Sequence, residues 1–225
     1  MPPIFQNNIW LVVPAYNEEE KLEQVLSDLV NLPYSIVVVN DGSQDKTAAI
    51  VRRFPSINLL NHRLNRGMGA ALQTGDEYAR QQGAEYIVHF DSDGQMRAAD
   101  IEPMLAPLLA GQADITLGTR FANSQSQLPW FKKYILLQIG RCINWLFTGL
   151  WLSDAHNGWR AFNKKVLDNL TIQQDAMAHN TEIVRAITRH HWAFQEVPVT
   201  IVYHEFGQGL LGGIRIVRDL IFKRS

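Results

Sequence analysis

The first 120 residues repeat one pattern. A short apolar run without polar interruption ends in a polar cluster, and residues spaced for a helix follow. Runs at 9–13, 35–39, 57–60, 86–90 and 114–117 are rich in Val, Ile and Leu and show no in/out alternation, which predicts strands buried on both faces. Helical spacing fills the intervals at 18–32, 45–54, 69–80 and 101–109. Strands that alternate with helices close into a mostly parallel sheet covered on both sides, so the fold class is α/β, Rossmann-like. In such sheets ligands bind beyond the carboxyl ends of the strands. The polar clusters fall at those ends: Asn17-Glu18, Asn40-Asp41-Gly42-Ser43, Asp91-Ser92-Asp93-Gly94 and Thr119-Arg120.

The second half reads differently. Residues 1–125 hold 9 Lys and Arg against 15 Asp and Glu, whereas residues 126–225 hold 12 against 7. An acidic half beside a basic half points to a cation site in the first and an anionic ligand or surface in the second. Residues 128–152 are long and apolar, but Lys132, Lys133, Gln138, Arg141 and Asn144 interrupt them. A mid-bilayer Arg or Lys costs roughly 2.5–3.5 kcal/mol, which argues for an amphipathic rather than a spanning helix. The segment 210–222 places Leu210, Ile214, Val217 and Ile221 at helical spacing beside Arg215, Arg218, Lys223 and Arg224. That pattern suits the surface of an anionic leaflet or a helix packed on its own domain. Further helix and strand signals lie at 181–191 and 194–203. No linker or repeat divides the chain, which is read as a single domain over 1–225. Its start lacks a basic region followed by an apolar core, and Cys142 is its only cysteine, so a cytoplasmic setting without disulfides is expected. No basic, aromatic-interleaved motif suggests nucleic acid.

Asp91 and Asp93, one residue apart after a strand, suit a hard cation such as Mg²⁺ or Mn²⁺ that leaves positions open for phosphate. A solvated turn is the plain alternative. Asp41 suits either hydrogen bonds to a nucleoside or an Asx turn. Gly67 and Gly69 open a helix, where backbone N–H groups attract anions, although their spacing is not that of a P-loop. Arg120 and Arg160 suit bidentate pairing with phosphate, or ordinary ion pairs.

The ordered set Val12-Val13-Pro14-Ala15-Tyr16-Asn17-Glu18-Glu19, Asn40-Asp41-Gly42-Ser43, Asn65-Arg66-Gly67-Met68-Gly69 and Asp91-Ser92-Asp93-Gly94-Gln95 resembles glycosyltransferase family 2. Gly118-Thr119-Arg120 and Asp154-Ala155-His156-Asn157-Gly158-Trp159-Arg160 are similar to its later blocks. The nearest subgroup is the dolichyl-phosphate mannose synthases and the bacterial polyprenyl-phosphate sugar transferases. The resemblance implies a GT-A fold, a nucleotide-diphospho-sugar donor of UDP or GDP type, and Mg²⁺ or Mn²⁺. By family pattern Pro14, Tyr16, Glu18, Asp41 and Gly67 line the nucleotide pocket. Asp91 faces the ribose or the metal, Asp93 binds the metal, and Arg120 and Arg160 meet phosphate. Residues 1–125 then form the nucleotide-sugar half and 126–225 the acceptor half. The implied reaction is a metal-dependent, inverting transfer to polyprenyl phosphate at the cytoplasmic membrane face, with peripheral membrane contact. Transfer to a saccharide hydroxyl, or nucleotide-sugar binding without catalysis, are the alternatives. A hydroxyl acceptor would need a base, for which Asp154 and then Glu182 are the candidates; a phosphate acceptor is already an anion.

Overall fold

The computed structural model describes residues 8–120, 149–154, 157–174 and 179–202. Among these residues one seven-stranded sheet runs in the order β3-β2-β1-β4-β6-β5-β7. Strands β1 (Ile9–Ala15), β2 (Ser35–Asn40), β3 (Ile57–Asn61) and β4 (Tyr86–His89) pair in parallel, as do β5 (Ile115–Thr119) and β7 (Phe194–Pro198). Strand β6 (Arg160–Asn163) lies antiparallel between β4 and β5, with Arg160 opposite both His89 and Leu117. Its start therefore shares the sheet edge at which the parallel strands end. Four residues that open on a charge carry no strand period of their own, so β6 is invisible in the sequence pattern.

The apolar runs feed two cores, one on each face. Leu11, Val13, Ile36, Val38 and Val88 face α1 (Leu22–Leu29) and α4 (Ile101–Leu109). Val12, Val37, Val39, Ile87 and Phe162 face α3 (Met68–Gln81) and α6 (His179–His190). Helix α3 presses close enough that a Cβ on Gly75 would stand 2.4 Å from Val12 Cγ1. Two shorter helices, α2 (Thr47–Val51) and α5 (Lys164–Leu167), complete the described set.

Helix α1 begins at Leu22, four residues later than its periodicity predicts, and the residues before it are stitched to the turn after β2. Glu18 N donates to Thr47 Oγ1 (2.9 Å), Glu19 N to Asp45 Oδ2 (3.0 Å), and Lys46 N returns a bond to Glu19 Oε2 (3.0 Å). Side-chain acceptors of this kind satisfy N–H groups that a helix start leaves open, and the Glu18 carbonyl accepts Leu22 N (3.0 Å) to begin the first turn. No helix among the described residues is long and apolar enough to cross a membrane. The expected helix at 210–222, and all but the last residues of that at 128–152, lie outside the described residues.

Candidate active site

The sheet brings three acids together. Glu18 follows β1, and Asp91 and Asp93 follow β4, which is β1's neighbour. Pro14 permits this convergence. Its missing N–H would face β4, but the β1–β4 register ends at Val12 and His89, so no ladder bond is lost. Past that point the Pro14 carbonyl instead accepts the Ser92 hydroxyl (2.7 Å), which ties the Asp91–Asp93 turn to the end of β1. Asp93 Oδ1 accepts Gln95 N (2.9 Å) and shapes the turn.

Electrostatically this corner is short of positive charge. Burial lifts the Glu18 carboxyl above its ordinary range, and repulsion from Asp93 adds to the shift. Burial, and then Asp93, push Asp91 up to about 6, against the pull of Arg160. Carboxylates that repel one another in a half-buried corner fit a divalent cation, which would relieve all three. Among the described residues no three His, Cys, Asp or Glu side chains converge as a ready-made cage. The donor set thus suits Mg²⁺ or Mn²⁺ bound through one or two carboxylates, with remaining positions left to phosphate and water.

Arg160 is not a surface group. It is 1% exposed, and its Nη2 donates to Asn180 Oδ1 (2.8 Å) and the Asn157 carbonyl (3.3 Å). Its Nε and Nη1 have no hydrogen-bond partner among the described residues. Burial pulls the guanidinium down to about 10, while Asp91 holds it up. In this structure Arg160 is a buried counter-charge to Asp91. Gly158 makes room for this packing, since a Cβ there would stand 2.9 Å from Asp91 Oδ2.

Arg120 and Asp154 form a fork, Nε to Oδ2 at 2.7 Å and Nη2 to Oδ1 at 2.8 Å, and Arg120 N adds a bond of 3.1 Å to Oδ2. The Asp154 side chain is buried, and that of Arg120 is 32% exposed. Beside them Ser153 donates through N and Oγ to Glu196 Oε1, both at 2.7 Å, so β7 carries the loop. Glu182 accepts from Gln173 N and Gln174 N at 2.9–3.1 Å. Both base candidates thus accept hydrogen bonds from the protein itself at each carboxylate oxygen.

Asp41 is 2% exposed and anchors the glycine turn. It accepts Gly67 N at 2.7 Å, Arg66 N at 3.0 Å and His62 Nδ1 at 2.6 Å. The Gly67 N–H, at the start of the helix expected to attract an anion, is thereby committed to Asp41. Gly67 itself is required by its φ of 97°. Pro14 is buried in β1, while Tyr16 is 46% exposed just past its end. Sequence reasoning missed His62, Gly158 and Glu196, whose roles arise only from strand register and loop packing.

A mostly parallel sheet with one antiparallel insert and an acidic pair after its fourth strand defines a GT-A glycosyltransferase. The chain belongs to glycosyl transferase family 2, whose family model matches residues 10–171. It is 32% identical to an uncharacterized protein of Methanocaldococcus jannaschii, over 98% of this chain and 94% of the relative. It is 29% identical to the UDP-N-acetylglucosamine–dolichyl-phosphate N-acetylglucosaminyltransferase of Methanococcus voltae, over 95% and 94%. Among solved structures, a mannosyltransferase from Pyrobaculum calidifontis in complex with GDP-Man and Mn²⁺ shares the fold. It aligns at a TM-score of 0.67 and 20% identity, over 97% of this chain and 63% of that one.

Proposed function

We propose that this glycosyltransferase moves a sugar, with inversion at the anomeric carbon, from a nucleoside-diphosphate sugar to polyprenyl phosphate. The observation that carries the donor side is the placement of Glu18, Asp91 and Asp93 after the neighbouring strands β1 and β4, where Asp93 repels the other two. Asp93, with Asp91 beside it, would hold Mg²⁺ or Mn²⁺, whose charge offsets that of the leaving diphosphate. Arg160 keeps Asp91 in place from below. Pro14, Tyr16 and Glu18 line the nucleoside side, and Asp41 supports it through the Arg66–Gly67 turn.

Occupied carboxylates favour a phosphate acceptor. Asp154 and Glu182 both accept hydrogen bonds from the protein at each oxygen, whereas a phosphate attacks as an anion and needs no base. Arg120, steered by its fork with Asp154, supplies positive charge at the end of β5 where such an acceptor would arrive. The named relative from Methanococcus voltae, a dolichyl-phosphate enzyme, supports the same choice. In this reading the whole chain acts as one domain, with its first 125 residues for the donor and the remainder for the acceptor, peripheral to the cytoplasmic face of the membrane.

The test is transfer of labelled sugar from UDP-N-acetylglucosamine, UDP-glucose or GDP-mannose, with Mn²⁺ present, to polyprenyl phosphate in detergent or to an oligosaccharide. Label extracted with the lipid, of inverted anomeric configuration and lost in Asp93→Ala, is the expected result. Label on the oligosaccharide alone would overturn the acceptor assignment.

A further inference from the structure

His62 stands one residue past β3 and belongs to none of the motifs above. Its backbone N–H continues the β2–β3 ladder by donating to the Asn40 carbonyl (2.9 Å). The imidazole, 9% exposed, lies between two partners: Asp41 Oδ1 at 2.6 Å from Nδ1, and Thr74 Oγ1 at 2.9 Å from Nε2. Thr74 sits on α3 and donates its hydroxyl proton back to the Ala70 carbonyl at 2.8 Å.

The protons can be counted. A threonine hydroxyl has one proton and two lone pairs. With its proton on Ala70 it accepts from His62 and Nε2 carries a hydrogen; turned towards His62 it donates to a bare Nε2. Asp41 offers only lone pairs, so Nδ1 must carry one too. In the first arrangement both ring nitrogens donate, and His62 is an imidazolium in a charge-assisted pair with Asp41.

This pair joins four pieces of chain. Asp41 follows β2, His62 follows β3, Thr74 lies on α3, and Asp41 also accepts Arg66 N at Oδ1 and Gly67 N at Oδ2. From the other side Gly42, at φ 73°, lets the backbone of Leu64 and Asn65 approach to where its Cβ would meet them at 2.6 Å. The turn from His62 to Gly67 is thus pinned at both flanks against the strand end where the nucleoside is expected.

We propose that His62, as a doubly donating imidazolium, is a positioning residue of the donor site, locking Asp41 and the Arg66–Gly67 turn so that the nucleotide meets a preformed seat. The inference rests on the donor reading above. Through His62, Asp41 is a fixed part of the wall rather than a carboxylate free to swing to the base.

Two measurements test it. In ¹H–¹⁵N spectra of the wild-type chain at neutral pH, both His62 ring nitrogens should be protonated; one bare nitrogen would overturn the imidazolium assignment. The second is calorimetric titration of the UDP- or GDP-sugar, with Mn²⁺, into wild type, Thr74→Val, Thr74→Ser and His62→Phe. Removing a buried charged donor's partner weakens binding by about tenfold in Kd, so Thr74→Val and His62→Phe should lose that much. Thr74→Ser keeps the hydroxyl and should retain wild-type affinity. Folded Thr74→Val that binds donor as tightly as wild type overturns the inference alone. Failure of the wild type to bind any nucleotide overturns the donor reading, and the inference with it.

Discussion

Replacing Asp91 by Asn is expected to stabilise the metal-free protein at alkaline pH, although Asp91 lies at the centre of the proposed donor site. The ionised carboxylate is held in an unfavourable place: burial and Asp93 raise it from 3.8 to about 6 even after Arg160 has drawn it down. At ~1.4 kcal/mol per pH unit, that gap puts the cost of the charged form at about 3 kcal/mol. The sign follows from proton uptake. The folded protein holds this proton more tightly than the unfolded chain, so the Asp91 contribution to stability is full below about pH 4. It is lost as pH rises through about 6, and the loss is constant above that. Asparagine keeps the shape and carries no charge. Its amide does not reproduce every contact of the carboxylate, so the net gain should be about 1–3 kcal/mol at pH 8, shrinking towards zero near pH 4. Urea unfolding in the presence of a chelator, at both pH values, reads this directly. Saturating Mn²⁺ should invert the order, since a ligand at a hundred times its Kd stabilises by about 2.7 kcal/mol and only the wild type would bind it well. A variant less stable than wild type by the same margin at both pH values would refute the electrostatic argument.

Gly158→Ala puts a methyl 2.9 Å from Asp91 Oδ2, so it should push that carboxylate aside and weaken Mn²⁺-dependent nucleotide binding measurably. The overpacking should cost about 1–3 kcal/mol in thermal or urea unfolding; unchanged metal affinity would show that Asp91 is not held by this contact. Asp154→Asn loses one arm of the fork with Arg120 and should destabilise the fold by about 1.5–3 kcal/mol. A variant of wild-type stability that folds but cannot turn over would instead restore Asp154 as a base.

Periodicity made the parallel half of the fold legible, because strands buried on both faces must be apolar throughout and helices must show a stripe. It did not show β6, four residues long and opening on Arg160, which owes its place to its neighbours. The difference matters for function. The sequence left Arg160 between a phosphate ligand and an ion pair; the pairing of β6 with β4 shows its guanidinium buried and held up by the charge of Asp91. Asp91 and Asp93 were legible since their spacing after a strand fixes their edge of the sheet. Asp41 was legible as a polar residue at a strand end, but its partners were not. His62 reaches it only because β2 and β3 align Asn40 with Asn61. Carboxylates such as Asp154 and Glu182 look alike in a sequence whether they act on a ligand or brace a loop. The hydrogen bonds they accept distinguish the two.

The central claim is a cation-assisted nucleotide site at the edge shared by β1 and β4. Calorimetric titration of UDP, GDP and their sugars, with and without Mn²⁺, into wild type and Asp93→Ala tests it most directly. One nucleotide should bind with Mn²⁺, bind far more weakly without it, and lose that dependence in the variant. Equal binding with and without Mn²⁺, unchanged by Asp93→Ala, would contradict the account.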